Sequence, residues 1–186
     1  MKNKKFILVL ILVLFATGGV FAQADINNFA PALEYNNVLI NFGVGLGPTY
    51  GYKMGIPPIS AAVDVILPIP VPITVGGIVT YSTWKYDGYL VNVTWTNIGF
   101  GIRGMYHLNF AENLDAYAGL TLGYVHQTVK VDSSWGWYGS GYAAEGEFLL
   151  GANVGARYFF TSFLGAYAEL GYNRLQYINL GLTFKF

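Results

Sequence analysis

Apolar and small polar residues alternate with a period of two along eight separate stretches of this chain, and that rhythm restricts the fold more than any other feature. Val38, Ile40, Phe42, Val44 and Leu46 share one face of the first stretch, with Asn41, Gly43, Gly45 and Gly47 on the other. Ile59, Ala61, Val63, Val65 and Leu67 oppose Ser60 and Asp64 in the second, and Ile73, Val75, Val79 and Tyr81 oppose Thr74, Gly76, Thr80 and Ser82 in the third. In the fourth, Ile98, Phe100, Ile102, Tyr106 and Leu108 oppose Asn97, Gly99, Gly101, Arg103 and His107. The same pattern returns around Ala116–Tyr124, Phe148–Tyr158, Ala166–Tyr172 and Ile178–Phe186. Side chains alternate across a strand, so each stretch predicts a strand of about nine or ten residues, enough to cross a bilayer at a barrel's tilt.

Charge then decides the solvent. Charged residues make up 11% of the chain, against about 25% in a soluble domain. Aromatics reach 17%, and there are 24 glycines and no cysteine, which leaves neither disulfides nor thiolate metal sites. The best candidate for a spanning helix in the body of the chain, Ile59 to Val79, holds Asp64 and is broken by Pro68, Pro70 and Pro72. A chain that is apolar, poor in charge and not helical satisfies its backbone in lipid by closing into a barrel. A lipocalin-like barrel would turn the polar face to water, but that face is mostly Gly, Asn, Thr and Ser, which suits the narrow bore of eight strands better. The expected fold is an all-β, eight-stranded antiparallel transmembrane up-and-down barrel with its apolar face outward.

Export and orientation follow from the ends and the links. Lys2, Lys4 and Lys5, the apolar run Phe6 to Phe15 and the small residues before Ala22 form the layout of a secretory signal peptide. Cleavage is expected after Ala22, with Ala24 as the alternative site and an uncleaved anchor as the competing reading. The predicted organisation is a signal peptide over 1–22, a periplasmic lead-in over 23–37 and the barrel over 38–186. Without the three lysines, seven basic residues face ten acidic ones, a net charge of −3 that offers no surface to nucleic acid. Links near 68–72, 109–114 and 161–164 are short, whereas those near 48–58, 85–94 and 126–144 are long; the short 173–176 is an exception. Short turns inside and long loops outside would place both termini in the periplasm.

Charges on the inner face have to be paired. Asp64, Arg103, Glu147, Arg157 and Glu169 are the expected lumen network, with Arg157 opposite Glu169 across a hairpin centred near Phe163, and Asp64 level with Arg103. The network reads as a plug; a charged constriction in a pore is the alternative. Gly99 to Gly104 spells the dinucleotide fingerprint, but it sits inside a strand with no helix to follow. His107 and His126 have no acidic or cysteine partner at ligand spacing, so no metal, cofactor or catalytic residue is assigned. His126 with Thr128 and Ser133 or Ser134 is the best, and weak, set for a lipid-modifying enzyme. Among the aromatics, Trp95, Tyr124 and Tyr172 read as a membrane-interface girdle. Trp135, Trp137, Tyr138 and Tyr142 mark a possible binding surface in the longest loop.

The last eight residues, Asn179 to Phe186, resemble the C-terminal insertion signal of outer-membrane barrels, with Asn179, Gly181, Phe184 and Phe186 at its polar, glycine and two aromatic positions. Gly155 to Thr161 and Gly165 to Tyr172 also resemble these proteins. The pattern is similar to that of the small outer-membrane β-barrel superfamily that includes the OmpA, OmpX and OmpW types. That resemblance implies recognition of Phe186 by the barrel-assembly machinery, contact with outer-membrane lipid, location in the bacterial outer membrane, and no soluble OmpA-like domain beyond Phe186. The expected role is structural or surface-interacting, with exposed loops that bind host or surface ligands. A narrow porin-like channel for small or apolar solutes is the alternative.

Overall fold

The computed structural model describes residues 32–47, 52–89, 91–111, 113–133 and 141–186. The signal peptide, most of the lead-in, Trp135, Trp137 and Tyr138 lie outside the described residues. Eight strands, β1 (Val38–Leu46), β2 (Lys53–Ile66), β3 (Ile73–Asp87), β4 (Val91–Ala111), β5 (Leu114–Ser133), β6 (Gly141–Phe159), β7 (Leu164–Tyr172) and β8 (Ile178–Lys185), form a closed antiparallel barrel in sequence order. The seam pairs β1 with β8 from Leu39↔Lys185 to Leu46↔Ile178. Val38 and Phe186 then exchange both backbone N–H···O bonds at 2.9 Å. Closure leaves no sheet edge, which is what lipid demands of strands.

Leu120, Leu150 and Leu180 are 58%, 61% and 56% exposed, while Asn41 and Arg157 keep 2% and 1%. The apolar face therefore points outward all round. Burying one Leu or Phe stabilises by about 1.5–3 kcal/mol. A whole belt of them in water would forgo more than the about 5–15 kcal/mol that holds a domain together. The belt needs an apolar solvent.

Strand lengths depart from the expected nine or ten residues. β1, β7 and β8 have 9, 9 and 8 residues, but β4, β5 and β6 run to 21, 20 and 19. Segments expected to be loops continue the ladder instead, with Tyr86↔Val93, Val93↔Val131 and Val129↔Ala143 in register. Their Thr, Val and aromatic residues favour strand, and neighbours on both sides supply backbone partners. The β3–β4 link shrinks to residues 88–90 and the β5–β6 link to 134–140. β2 begins at Lys53, six residues before the first expected position, through register shifts between Met54, Ile56 and Ile59. Gly55, Pro57 and Pro58 occupy that irregular stretch, where a missing N–H does no harm.

Candidate functional site

The inner face gathers polar side chains from every strand. Asp64 on β2 lies in register with Gly76 on β3, and Gly76 with Arg103 on β4. Adjacent strands are about 4.8 Å apart, so Arg103 reaches across the intervening strand only because position 76 has no side chain; a Cβ there would collide with Asp64 Oδ1. The guanidinium donates to both carboxylate oxygens, Nε to Oδ1 at 2.7 Å and Nη2 to Oδ2. This is the bidentate geometry that makes an Arg–carboxylate pair strong and directional. Asn41 Nδ2 on β1 adds a third donor to Asp64, at 2.8 Å. Arg103 Nη1 then spans the bore to Glu169 Oε1 on β7, at 3.5 Å. Tyr117 OH on β5 also donates to Glu169 Oε1, at 3.0 Å. Asn179 Nδ2 on β8 lies 3.4 Å from Glu169 Oε2 and 3.1 Å from Tyr167 OH.

A second layer lies nearer the short turns. Arg157 on β6 sits over the Tyr117 ring with 4.7 Å from Cζ to the centroid, and its Nε is 3.7 Å from Asp115 Oδ2. Asp115 is 2.9 Å from His107 Nδ1, and His107 Nε2 is 2.9 Å from Thr74 Oγ1. Thr74, His107 and Asp115 thus repeat the bonding order of a hydrolase triad. Thr74 and Asp115 are both 0% exposed. The chain of bonds ties β3, β4 and β5 together on the inner face. A cavity of about 20 Å³ remains beside Arg103, Glu169 and Gln176, room for about one water.

Both ends of the bore are occupied. At the short-turn end the lead-in folds back, packing Ala32 and Leu33 against Leu39 and Phe159. Lys185 Nζ donates to Ala32 O at 2.8 Å and lies 4.6 Å from the Phe159 ring centroid. At the other end residues 173–177 turn inward. Asn173 Oδ1 accepts from the backbone N–H of Leu175 and Gln176 at 3.2 and 3.0 Å, an Asx turn. Leu175 is buried against Val125 and Leu149. Above it opens a vestibule of about 230 Å³ bounded by Tyr52, Trp84, Trp95, Glu145, Glu147 and Arg174.

Several expected placements change. Asp64 and Arg103 meet, but Arg157 pairs in register with Tyr167, and Glu169 with Gly155. Thr161 Oγ1 accepts from Leu164 N at 3.0 Å and centres the hairpin on Ser162 instead of Phe163. Moving the centre by one residue shifts the register by two and takes Glu169 away from Arg157, which faces Asp115 through the separate β5–β6 register. Glu147 shares the inner face but stands above the buried layers, half-exposed and ion-paired with Arg174. His107 does have an acidic partner, Asp115, brought close by the β4–β5 turn. His126 is exposed on the outward face. Trp95 belongs to the inner face and lies tilted against Tyr52 at 4.5 Å, whereas Tyr124 and Tyr172 face outward. Extending the fourth alternation two residues back from Asn97 would have revealed this. Tyr142 is 74% exposed near the loop end. Asn179 and Gly181 face the lumen, Phe184 packs edge-on to Phe42, and Phe186 is exposed.

No protein-family model matches the chain, and no curated protein matches it. Among solved structures, it is similar to a major outer membrane protein from Thermus thermophilus, with a TM-score of 0.58 at 12% identity over 82% of this chain and 100% of that one. It is also similar to Ail, the attachment invasion locus protein of Yersinia pestis, solved in complex with the heparin analogue sucrose octasulfate. There the TM-score is 0.55 at 15% identity, again over 82% of this chain and 100% of the other. At such identities the likeness is one of fold, that of small eight-stranded outer-membrane barrels.

Proposed function

We propose that this barrel resides in the bacterial outer membrane as a non-conducting structural and surface-interaction protein, not an enzyme, with the end that bears Tyr52, Gly88 and residues 173–177 outside the cell. A cleaved signal peptide exports it, and the assembly machinery recognises the strand ending in Phe186. The observation that carries the closed-lumen reading is the Arg103 layer, in which the Arg103 and Asp64 side chains keep only 4% and 1% of their exposure. Desolvated and held by each other, Asn41 and Glu169, these ions stand across the bore in the way of a solute. The Leu175 loop above and the Ala32 contact below reinforce the closure. Basic groups at the loop end are largely spent on internal pairs, Lys53 with Asp87, Lys130 with Asp132 and Arg174 with Glu147. A polyanion of the kind bound to Ail is therefore not the ligand these described residues favour.

The competing reading is a narrow channel for small or apolar solutes. Planar-bilayer recording on the purified chain separates the two. The expected result is a silent membrane at every voltage. Reproducible unitary openings that vanish with the protein would overturn the closed-lumen reading and leave the fold untouched.

A further inference from the structure

The vestibule at the loop end combines aromatic walls with an excess of negative charge. Trp84 and Trp95 are cross-strand partners on the inner face, and Tyr52 lies against Trp95 with 4.5 Å between ring centroids. Glu145 and Glu147 project from β6 into the same cavity of about 230 Å³, and Arg174 is the cation among its lining residues. Arg174 is committed to Glu147. Among the described residues, Glu145 has no ion-pair partner. Among the other lining residues, Gln127 Nε2 donates to Asn97 Oδ1 at 2.9 Å. Leu175 and Val125 form an apolar floor.

Aromatic faces attract a cation through the ring quadrupole, best when the cation is weakly hydrated. A carboxylate beside them adds a Coulomb term, and an apolar floor tolerates methyl groups but not a strongly hydrated metal ion. We infer that this vestibule is a binding site for a small organic cation, an alkylated ammonium group, with Trp84, Trp95 and Tyr52 packing its methyls and Glu145 facing its charge. The inference needs only the geometry of the vestibule, not a closed lumen or a particular side of the membrane. A conductance result of either sign therefore leaves it standing.

The test is isothermal titration of the folded full chain, in a detergent without ammonium groups, with choline and with its neutral carbon isostere. Choline should bind saturably and the isostere at least about tenfold more weakly. Glu145→Gln should weaken choline by about tenfold, and Trp95→Leu by at least as much. Glu145 is exposed and outside the buried network, so its variant keeps the fold, which heat-dependent gel mobility verifies. If Trp95→Leu does not fold, Glu145→Gln and the isostere decide. Equal affinity for choline and isostere, indifference to Glu145→Gln, absence of saturable choline binding, or methyl glucoside binding in its place would each overturn the assignment.

Discussion

At position 76 a glycine stands between two buried ions on neighbouring strands, and its missing Cβ is what lets Arg103 close on Asp64. Gly155 plays a similar part beneath the Tyr117 ring, which would meet an added Cβ at 2.6 Å. Small residues on the inner face are thus places where large ones cross. Buried ion pairs often add little net stability over apolar substitutes, yet removing one partner leaves an uncompensated charge. Arg103→Met should therefore destabilise the barrel by about 3–5 kcal/mol, read as an earlier urea transition for loss of the heat-modifiable band. Asp64→Leu added to Arg103→Met should recover part of that loss, and strict additivity of the two single changes would refute the coupling. That Asp64 and Arg103 lie at one depth was legible from their strand positions. Asp115 was not legible as Arg157's partner, because the β5–β6 register that pairs them is set across a long link.

Among the elements, the β7–β8 link takes a course of its own at the loop end. The β3–β4, β4–β5 and β5–β6 ladders carry paired strands past the apolar belt, whereas residues 173–177 turn into the bore. Its shortness was visible in the sequence, but its direction depended on Leu175 finding Val125 and Leu149 across the lumen. Arg174 adopts φ 66°, an uncommon conformation for a residue with a side chain, stabilised by the Asn173 cap and the contact with Glu147. Leu175→Ala should cost about 2–5 kcal/mol and loosen the link. Trypsin should then cut after Arg174 in the folded variant faster than in the parent, as mass spectrometry of the fragments would reveal. Equal resistance of both proteins would mean that Leu175 does not hold the link in place.

The whole molecule is a cylinder with its usual solvation inverted, apolar outside and charged within. Leu120 sits in the middle of the outward belt, so Leu120→Arg should cost about 2–4 kcal/mol in lipid vesicles, measured as a lower urea midpoint for the folded band. The exposed Lys130, ion-paired with Asp132, makes the control: Lys130→Ala should change stability by less than about 1 kcal/mol. Comparable effects at both positions would contradict a lipid-facing belt. Boiled and unboiled samples of the parent should also migrate differently on gels, as a closed barrel resists detergent unfolding.

The sequence by itself determined the eight strands, which face of each is apolar, and the scarcity of charge that requires lipid, because alternation and composition are local properties of the chain. Tertiary structure alone decided which ions meet, where the ladders stop and which loop enters the bore. Those outcomes depend on register and on contacts across the barrel between strands far apart in sequence. A two-residue shift of register keeps every side chain on its face while changing all of its neighbours.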